Sequence, residues 1–232
     1  MVFFISKKPA VFILLCAMIA CNESTRQTDN LPGSATPATD TPSSAPGPHR
    51  AGTAELGAKK EGMLTGTGIQ DFVLDGYSIL DTATGDLNGD AYADKLLLLK
   101  KGGEDTSSDV SEHPEKRPLL LLTGQAGGTY KLAARGDNTV LCVDCGGVMG
   151  DPYMQLVIKN SYFTAEMAGG SSWRWTRTVT FKYAPSEHNW FLFKDGHESY
   201  HSSEPDKVET KLYTAKDFGK VSFSQFDVYK DQ

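Results

Sequence analysis

Runs of basic residues, long apolar segments and helical periodicity are all scarce in this 232-residue chain. Lysine and arginine total 23 against 29 aspartates and glutamates, which gives a formal net charge of -6. Phosphate recognition needs a clustered basic surface, so we predict no nucleic-acid partner. The excess of acid favours metal cations as charged partners, and the missing helical periodicity points away from a helical fold.

An apolar segment near the start of the chain, from Ala10 to Ala20, follows Lys7 and Lys8. This pattern is typical of an export signal. Its core of about 11 residues is shorter than the roughly 20 needed to span a bilayer, so a permanent transmembrane helix is not expected. We therefore predict that residues 1–20 form a signal peptide.

The segment ends in Met18-Ile19-Ala20-Cys21. These residues resemble a bacterial lipobox, which implies cleavage before Cys21, diacylation of its thiol with chains such as palmitate, and acylation of the new amino group. Two or three acyl chains would anchor the protein on a membrane, because each buried methylene contributes about 0.8 kcal/mol. Asn22 favours the outer membrane of a bacterial cell envelope, on its periplasmic side or surface. An ordinary secretory signal cleaved nearby is the alternative.

From Asn22 to about Gly62 the chain consists mainly of Ser, Thr, Pro, Ala, Gly and Asp. Such a segment cannot bury enough apolar surface to offset the entropy of ordering. We predict that residues 21–62 are the lipidated cysteine and a disordered tether, with a root-mean-square span of about 35 Å. The folded domain is then residues 63–232.

Ser172 to Tyr183 shows strict period-two alternation, which is typical of a half-buried strand. Trp173 and Trp175 share its apolar face, and core packing is the favoured interpretation of both, with a sugar-binding surface or a cation cage as the alternative. Arg177 is the single polar residue on that face. We predict that it pairs with a carboxylate or stacks on a tryptophan.

Leu96–Leu99 and Leu119–Leu122 are apolar on both faces, as central strands are when both sides are covered. Between them, residues 101–117 have the composition of a mobile surface loop. The pattern predicts one all-β, mainly antiparallel domain, built as an incomplete propeller, a sandwich or a barrel, with a short helical turn near Ala215 to Phe218. Further strands are predicted at residues 130–134, 139–143, 154–159, 162–167, 190–194 and 221–229, with turns at 159–161 and 195–196.

An acidic loop precedes the first leucine strand. Asp86, Asn88, Asp90 and Asp94 supply side-chain oxygens at alternating positions, and Tyr92 supplies a backbone carbonyl. Tight loops wrap a calcium ion with such a spacing. An Asx-rich hairpin loop without an ion is the alternative.

The stretch Gly85-Asp86-Leu87-Asn88-Gly89-Asp90, with Asp94 before an apolar strand, resembles the calcium loop of FG-GAP and VCBS repeats, the blades of integrin-α-type β-propellers. The resemblance implies a structural Ca²⁺. Ala91 stands where the repeats usually have glycine, and a positive φ there would add strain of roughly 1 kcal/mol. Only one copy is present, whereas a propeller needs about four or more blades, so a full propeller is not expected.

Cys142 and Cys145 are the cysteines that remain after cleavage and lipidation, and in an exported protein we predict a disulfide between them. The segments at 142–152 and 169–177 also resemble a group of uncharacterised bacterial lipoproteins. That resemblance implies no particular activity.

His197-Glu198-Ser199-Tyr200-His201 matches the zinc motif of metalloproteases. Its flanking residues do not predict a helix, and in a strand the two histidines would lie about 13 Å apart and could not share one zinc. We therefore predict a membrane-anchored binding or interaction module with a protein or saccharide ligand, and we assign no catalytic residue. A zinc-dependent hydrolase using His197, Glu198 and His201, or a purely structural envelope protein, is the alternative.

Overall fold

The computed structural model describes residues 64–230. Over this range the chain forms two antiparallel sheets of five strands each, with few helical residues, which confirms the predicted all-β class. The predicted signal peptide, the lipidated Cys21 and the tether lie outside the described residues. None of the helices in residues 64–230 has the length and apolar character needed to cross a bilayer.

Sheet 1 is built from the first half of the domain and has the strand order β1-β5-β4-β3-β2. Its strands are β1 (Thr65–Gly66), β2 (Tyr77–Gly85), β3 (Asp94–Lys101), β4 (Leu119–Gly124) and β5 (Tyr130–Gly136). The short helix α1 (Glu104–Ser107) lies in the connection between β3 and β4.

Sheet 2 is a meander of longer strands in the order β10-β9-β8-β7-β6. Its strands are β6 (Tyr153–Lys159), β7 (Tyr162–Gly170), β8 (Trp173–Ala184), β9 (Asn189–His201) and β10 (Glu209–Thr214). The helical turn α2 (Ala215–Phe218) follows β10, as predicted, and Asn160 and Ser161 form the β6–β7 turn with φ of 51° and 61°.

The main core lies between the two sheets. Leu96 and Leu121 of sheet 1 belong to one buried cluster with Phe163 and Phe181 of sheet 2. The opposite face of sheet 1 is covered by residues 64–74, and this is why both leucine runs are buried on each side. The prediction of central strands at these runs is therefore confirmed.

The two sheets meet directly along one side. Tyr153 of β6 donates a hydrogen bond from its hydroxyl to Asp81 of β2. A Cβ atom on Gly85 would lie 2.5 Å from Ile158 Cγ2, so only glycine permits this approach of β2 to β6.

The other side is closed by the C-terminal segment. Phe223 makes edge-on contacts with Phe163 and Phe181, and Phe226 makes one with Phe181. The strand predicted at 221–229 is wrong, because this segment forms a 3-10 turn at Phe223–Gln225 and pairs only through single bridges. Its aromatic residues fill the space between the two sheets, which we call the wedge, instead of extending either sheet.

Three further expectations differ from the structure. The turn predicted at Asp195-Gly196 lies inside β9, because these residues pair with Val179 and Thr178 of β8. Residues 139–143 form no strand, since the chain turns there into the Cys142–Cys145 disulfide. The predicted strand at 190–194 also continues to His201, because its polar second half alternates between two faces like the first.

Strand lengths differ between the sheets. With 12 and 13 residues, β8 and β9 extend about 40 Å, whereas the six residues of β4 extend about 20 Å. One end of sheet 2 therefore projects beyond the shared core. Trp173 lies on this overhang and is 56% exposed, so its predicted burial in the core is wrong.

Candidate functional site

The overhang of sheet 2 presents a regular array of side chains on its inner face, which we call the platform. Residues directly opposite each other in antiparallel strands point to the same face, so the register of β8, β9 and β10 defines its rows. Its rows across the three strands are Trp175–Ser199–Glu209, Arg177–His197–Lys211 and Val179–Asp195–Tyr213, with the pair Trp173–His201 beyond the first row.

A groove of 520 Å³ lies over the platform. Leu141 and Lys230 line it together with platform residues, and Thr176 and Glu198 also contribute to its lining. A second depression of 240 Å³ is lined by Trp173 and His201, and both spaces share Glu209. The platform therefore offers an elongated site of the size used for small ligands.

The floor of the groove is an ion pair. Arg177 Nε and Nη2 donate to the two carboxylate oxygens of Asp195 at 3.0 and 2.7 Å, and Nη1 donates to the Val228 carbonyl at 2.6 Å. This confirms the predicted carboxylate partner of Arg177. Asp195 is fully buried and Arg177 is 11% exposed, so this pair joins β8, β9 and the C-terminal segment at a desolvated point.

His197 is held beside this pair. Its Nε2 lies 3.0 Å from Asp195 Oδ1, and its ring meets Tyr213 edge-on. Burial by itself raises the pKa of the Asp195 carboxyl, but the contacts of His197 and Arg177 outweigh it and hold that pKa below its usual value. Asp195 therefore stays ionised and fixes the orientation of both neighbours.

Trp175 forms one end of the groove and packs on a glycine. A Cβ atom on Gly169 would lie 2.5 Å from Trp175 Cζ2 and 2.9 Å from Gly146 Cα, so no side chain fits there. The Gly170 amide also donates to the Gly146 carbonyl at 2.9 Å. The two glycine-containing segments at 142–152 and 169–177 thus meet at this end of the groove, a contact that sequence reasoning missed.

Several polar platform side chains have no hydrogen-bonding or ionic partner within residues 64–230. Ser199, Glu209, Lys211 and Tyr213 make no side-chain hydrogen bond and no ion pair there. Hydroxyl, carboxylate and ammonium groups are thus spread along the groove without protein hydrogen-bond partners, and Glu209 and Lys211 face solvent. This set is suited to a polar ligand.

The predicted disulfide between Cys142 and Cys145 is present. Asp144, between them, accepts hydrogen bonds from Ser108 Oγ at 2.6 Å and from the Val110 amide at 2.7 Å. Among residues 64–230, these two cysteines and Asp144 form the one cluster of potential metal ligands. Because the two sulfurs are bonded to each other, they are not free to bind a metal. The hydrogen bonds of Asp144 instead tie the long β3–β4 loop to the disulfide loop.

The β3–β4 loop is more ordered than its composition predicts. Arg117 and Glu104 are buried and form an ion pair, and Arg117 also pairs with Asp151 at 2.7 Å. The expectation of a mobile surface loop at 101–117 is therefore wrong at both of its ends. The sequence signal available was that Arg117 lies two residues before the buried strand β4, separated from it by Pro118.

The residues of the metalloprotease-like motif lie in β9, not in a helix. His197 contacts Asp195, while His201 contacts Ser203 through Nδ1 at 2.6 Å and the Trp173 ring edge-on. Alternation along the strand directs Glu198 to the face opposite both histidines. The structure does not bring His197, Glu198 and His201 together.

The acidic loop is closed by its own hydrogen bonds. Asp86 Oδ1 accepts from the amides of Asn88 and Gly89, and Asp90 Oδ1 accepts from the Tyr92 amide at 2.9 Å. Asn88 Nδ2 donates to Asp90 Oδ2 at 2.7 Å. Ala91 adopts the positive φ, 67°, that the resemblance to calcium loops implied.

Asp94 has a different environment from the other loop acids. It is fully buried, and its two oxygens accept from the Leu87 amide at 2.8 Å and the Gly124 amide at 2.9 Å. Burial raises the pKa of the Asp94 carboxyl, and the charges of Asp90 and Asp86 add to the rise. A cation at this loop would be held by Asp86, Asn88 and Asp90, with Asp94 acting mainly as a structural link to β4.

Comparisons of the chain with protein-family models, with curated proteins and with solved structures found no match. The resemblances to FG-GAP and VCBS repeats and to uncharacterised lipoproteins therefore stay predictions.

Replacing Asp195 with asparagine should lower the free energy of unfolding by about 3 kcal/mol at neutral pH, because Arg177 then keeps its charge without a carboxylate. The difference in unfolding free energy between the two proteins should shrink as the pH falls below about 4 and through the lowered pKa of Asp195. In that range the wild-type carboxyl becomes protonated and, like asparagine, carries no charge. Urea unfolding of both proteins at several pH values measures this. A difference that does not depend on pH would contradict the assigned charge state.

The matched control is Asp137→Asn. Asp137 also pairs with an arginine, Arg135, but these side chains are 41% and 35% exposed. Exposed pairs contribute about 0–1 kcal/mol, so this substitution should have a small effect at every pH.

The calcium prediction is tested by thermal unfolding in 1 mM Ca²⁺ and in EDTA. A site with a dissociation constant on the order of 10⁻⁴ M would add about 1.4 kcal/mol of stability, and Asp90→Asn should remove that gain. Asp94→Asn should instead destabilise in both conditions, by about 1–3 kcal/mol, because the amide side chain keeps one acceptor oxygen and turns an NH2 group toward the other of the two buried backbone amides. Equal stability of the wild type with and without calcium would overturn the prediction.

Proposed function

We propose that the protein is an exported, lipid-anchored binding module that holds its ligand in the groove over the platform. The observation that carries this proposal is the set of polar groups left without partners in a groove whose floor is fixed. Arg177 and Asp195 satisfy each other, whereas Ser199, Glu209 and Lys211 remain available. Polar groups without a protein partner, arranged on a rigid sheet, are open to a ligand that can replace their water.

The construction of the groove supports binding more than catalysis. Strands β8, β9 and β10 position most of its side chains, and their spacing is set by backbone pairing. His197 is the one imidazole in the groove lining, and its contact with Asp195 is part of the floor. A recognition surface needs only this fixed array, while hydrolysis would also need an activated nucleophile.

The lipid anchor is part of the same proposal. Acylation of Cys21 would hold the protein on a bacterial membrane, and residues 22–62 would separate the domain from the lipid. The predicted calcium ion would stabilise the acidic loop between β2 and β3, on sheet 1. Its role is therefore structural, because the platform belongs to sheet 2.

The anchor is tested by labelling cells with radioactive palmitate. The wild type should incorporate label and partition into the detergent phase, whereas Cys21→Ser should do neither, because serine carries no thiol. Cys145→Ser is the control, since Cys145 is in the disulfide and its loss should leave labelling intact. Unlabelled wild-type protein, cleaved and released, would support the ordinary secretory signal instead.

The ligand site is tested by filling the groove. Ser199 lies in its middle, between Trp175 and Glu209, so Ser199→Trp should occupy the space a ligand needs. We expect compounds from a panel of saccharides, short peptides and small organic acids to raise the unfolding midpoint of the wild type and not of this variant.

Thr178→Trp is the control for this experiment, because Thr178 is exposed on the opposite face of β8 and pairs with Gly196. It adds the same side chain without entering the groove and should keep the wild-type response. A panel in which nothing stabilises the wild type, or in which Ser199→Trp responds equally, would contradict the proposed site.

A further inference from the structure

We infer that the ligand of the platform is a linear, uncharged oligosaccharide with at least two pyranose units, stacked on Trp173 and Trp175. This inference rests on the proposed function and names the chemistry of its ligand. Trp173 and Trp175 pair with His201 and Ser199, so both rings stand on the same face of β8. Residues two apart in a strand are about 6.6 Å apart, a spacing comparable to one pyranose unit in a linear chain.

Each tryptophan ring contacts another residue of the protein, so its position is fixed before a ligand binds. Trp175 packs on Gly169, where any side chain would clash with the indole ring. Trp173 is 56% exposed, and its ring contacts His201 at 5.3 Å between centroids, edge-on. A large exposed indole costs hydration free energy unless it covers another apolar surface. The C–H face of a sugar ring is such a surface.

The adjacent strands supply hydrogen-bonding groups for the edges of the sugar rings. Ser199 and Tyr213 carry hydroxyls, Glu209 accepts, and Lys211 donates. A saccharide presents hydroxyls that both donate and accept, so it can satisfy all of these groups at once. An apolar ligand would leave them buried without partners, at a cost of about 1–3 kcal/mol each in general.

The charges of the platform favour a neutral ligand. The carboxylate of Glu209 and the ammonium of Lys211 lie on the same strand two residues apart, and Asp195 neutralises Arg177. Lys230 at the rim has Asp227 at 3.9 Å. Because each cation has an acidic neighbour, the groove offers no concentrated charge for a phosphate or a carboxylate ligand.

An extended peptide is the competing ligand class. A peptide adds to a sheet through its backbone, along an open strand edge such as that of β10. The platform instead presents a sheet face with aromatic rings in a line and polar groups beside them. The observations therefore favour the saccharide.

The test uses the full chain in a detergent without a sugar headgroup. Cellotriose, chitotriose and maltotriose are titrated by calorimetry and by the fluorescence of its three tryptophans, with glucose and tetra-alanine as comparison probes. We expect at least one trisaccharide to bind with a dissociation constant below about 1 mM, and glucose at least about tenfold more weakly.

The variants locate the binding. Trp173→Ala and Trp175→Ala should each weaken trisaccharide binding about tenfold or more. Phe193→Ala is the matched control, because Phe193 is also an exposed aromatic but contacts Tyr162 and Lys194 away from the groove. Trp173 is exposed, so Trp173→Ala should fold even if Trp175→Ala does not.

Three results would overturn the inference. One is that no trisaccharide binds more tightly than about 10 mM. Another is that a trisaccharide binds equally well to Trp173→Ala and to the wild type. The third is that tetra-alanine binds in the groove and the sugars do not. In this last case the proposed function survives, because the effect of Ser199→Trp on peptide binding still reports a ligand in the groove.

Discussion

Two sheets of unequal strand length have to share one hydrophobic core in this protein. The core shared with sheet 1 includes Phe163, Met167 and Phe181 of sheet 2, Trp175 packs against its edge, and β8 and β9 continue to Trp173 and His201. Aliphatic core side chains give way to polar ones toward this end of the inner face, because side chains there face water. The remaining inner face is polar and aromatic, and it forms the platform. The site is thus a geometric consequence of the mismatch between the sheets.

The boundary between core and platform is the ion pair of Arg177 and Asp195. A carboxylate as buried as Asp195 would be strongly destabilising alone, but the guanidinium satisfies both of its oxygens. Since Arg177 also donates to the Val228 carbonyl, the same residue fixes the C-terminal segment that closes the sheets. His197 takes its position from Asp195. The buried ion pair therefore links β8, β9 and the C-terminal segment, and it also forms the floor of the groove.

Loops from distant parts of the chain complete this arrangement. The disulfide loop contacts the β7–β8 turn through Gly146, and Asp144 holds residues 108–110 of the β3–β4 loop. Gly146 and Gly169 are needed at these points because neighbouring backbone atoms and the indole ring of Trp175 come too close to them to leave room for a side chain. The saccharide inference depends on this packing, since Trp175 keeps its orientation only while Gly169 lies beneath it.

Local patterns determined the fold class, the leucine strands, the disulfide, the helical turn after β10 and the need of Arg177 for an acidic partner. Each of these follows from the alternation of side chains or from the chemistry of a single residue. Both kinds of information are present in the amino-acid sequence. Tertiary structure alone decided that Trp173 is exposed, that Asp195 lies in mid-strand, that the C-terminal segment fills a wedge, and that Ser199, Glu209 and Lys211 share a groove. Those outcomes depend on where one sheet stops covering the other, and on the register between strands, which no local pattern specifies.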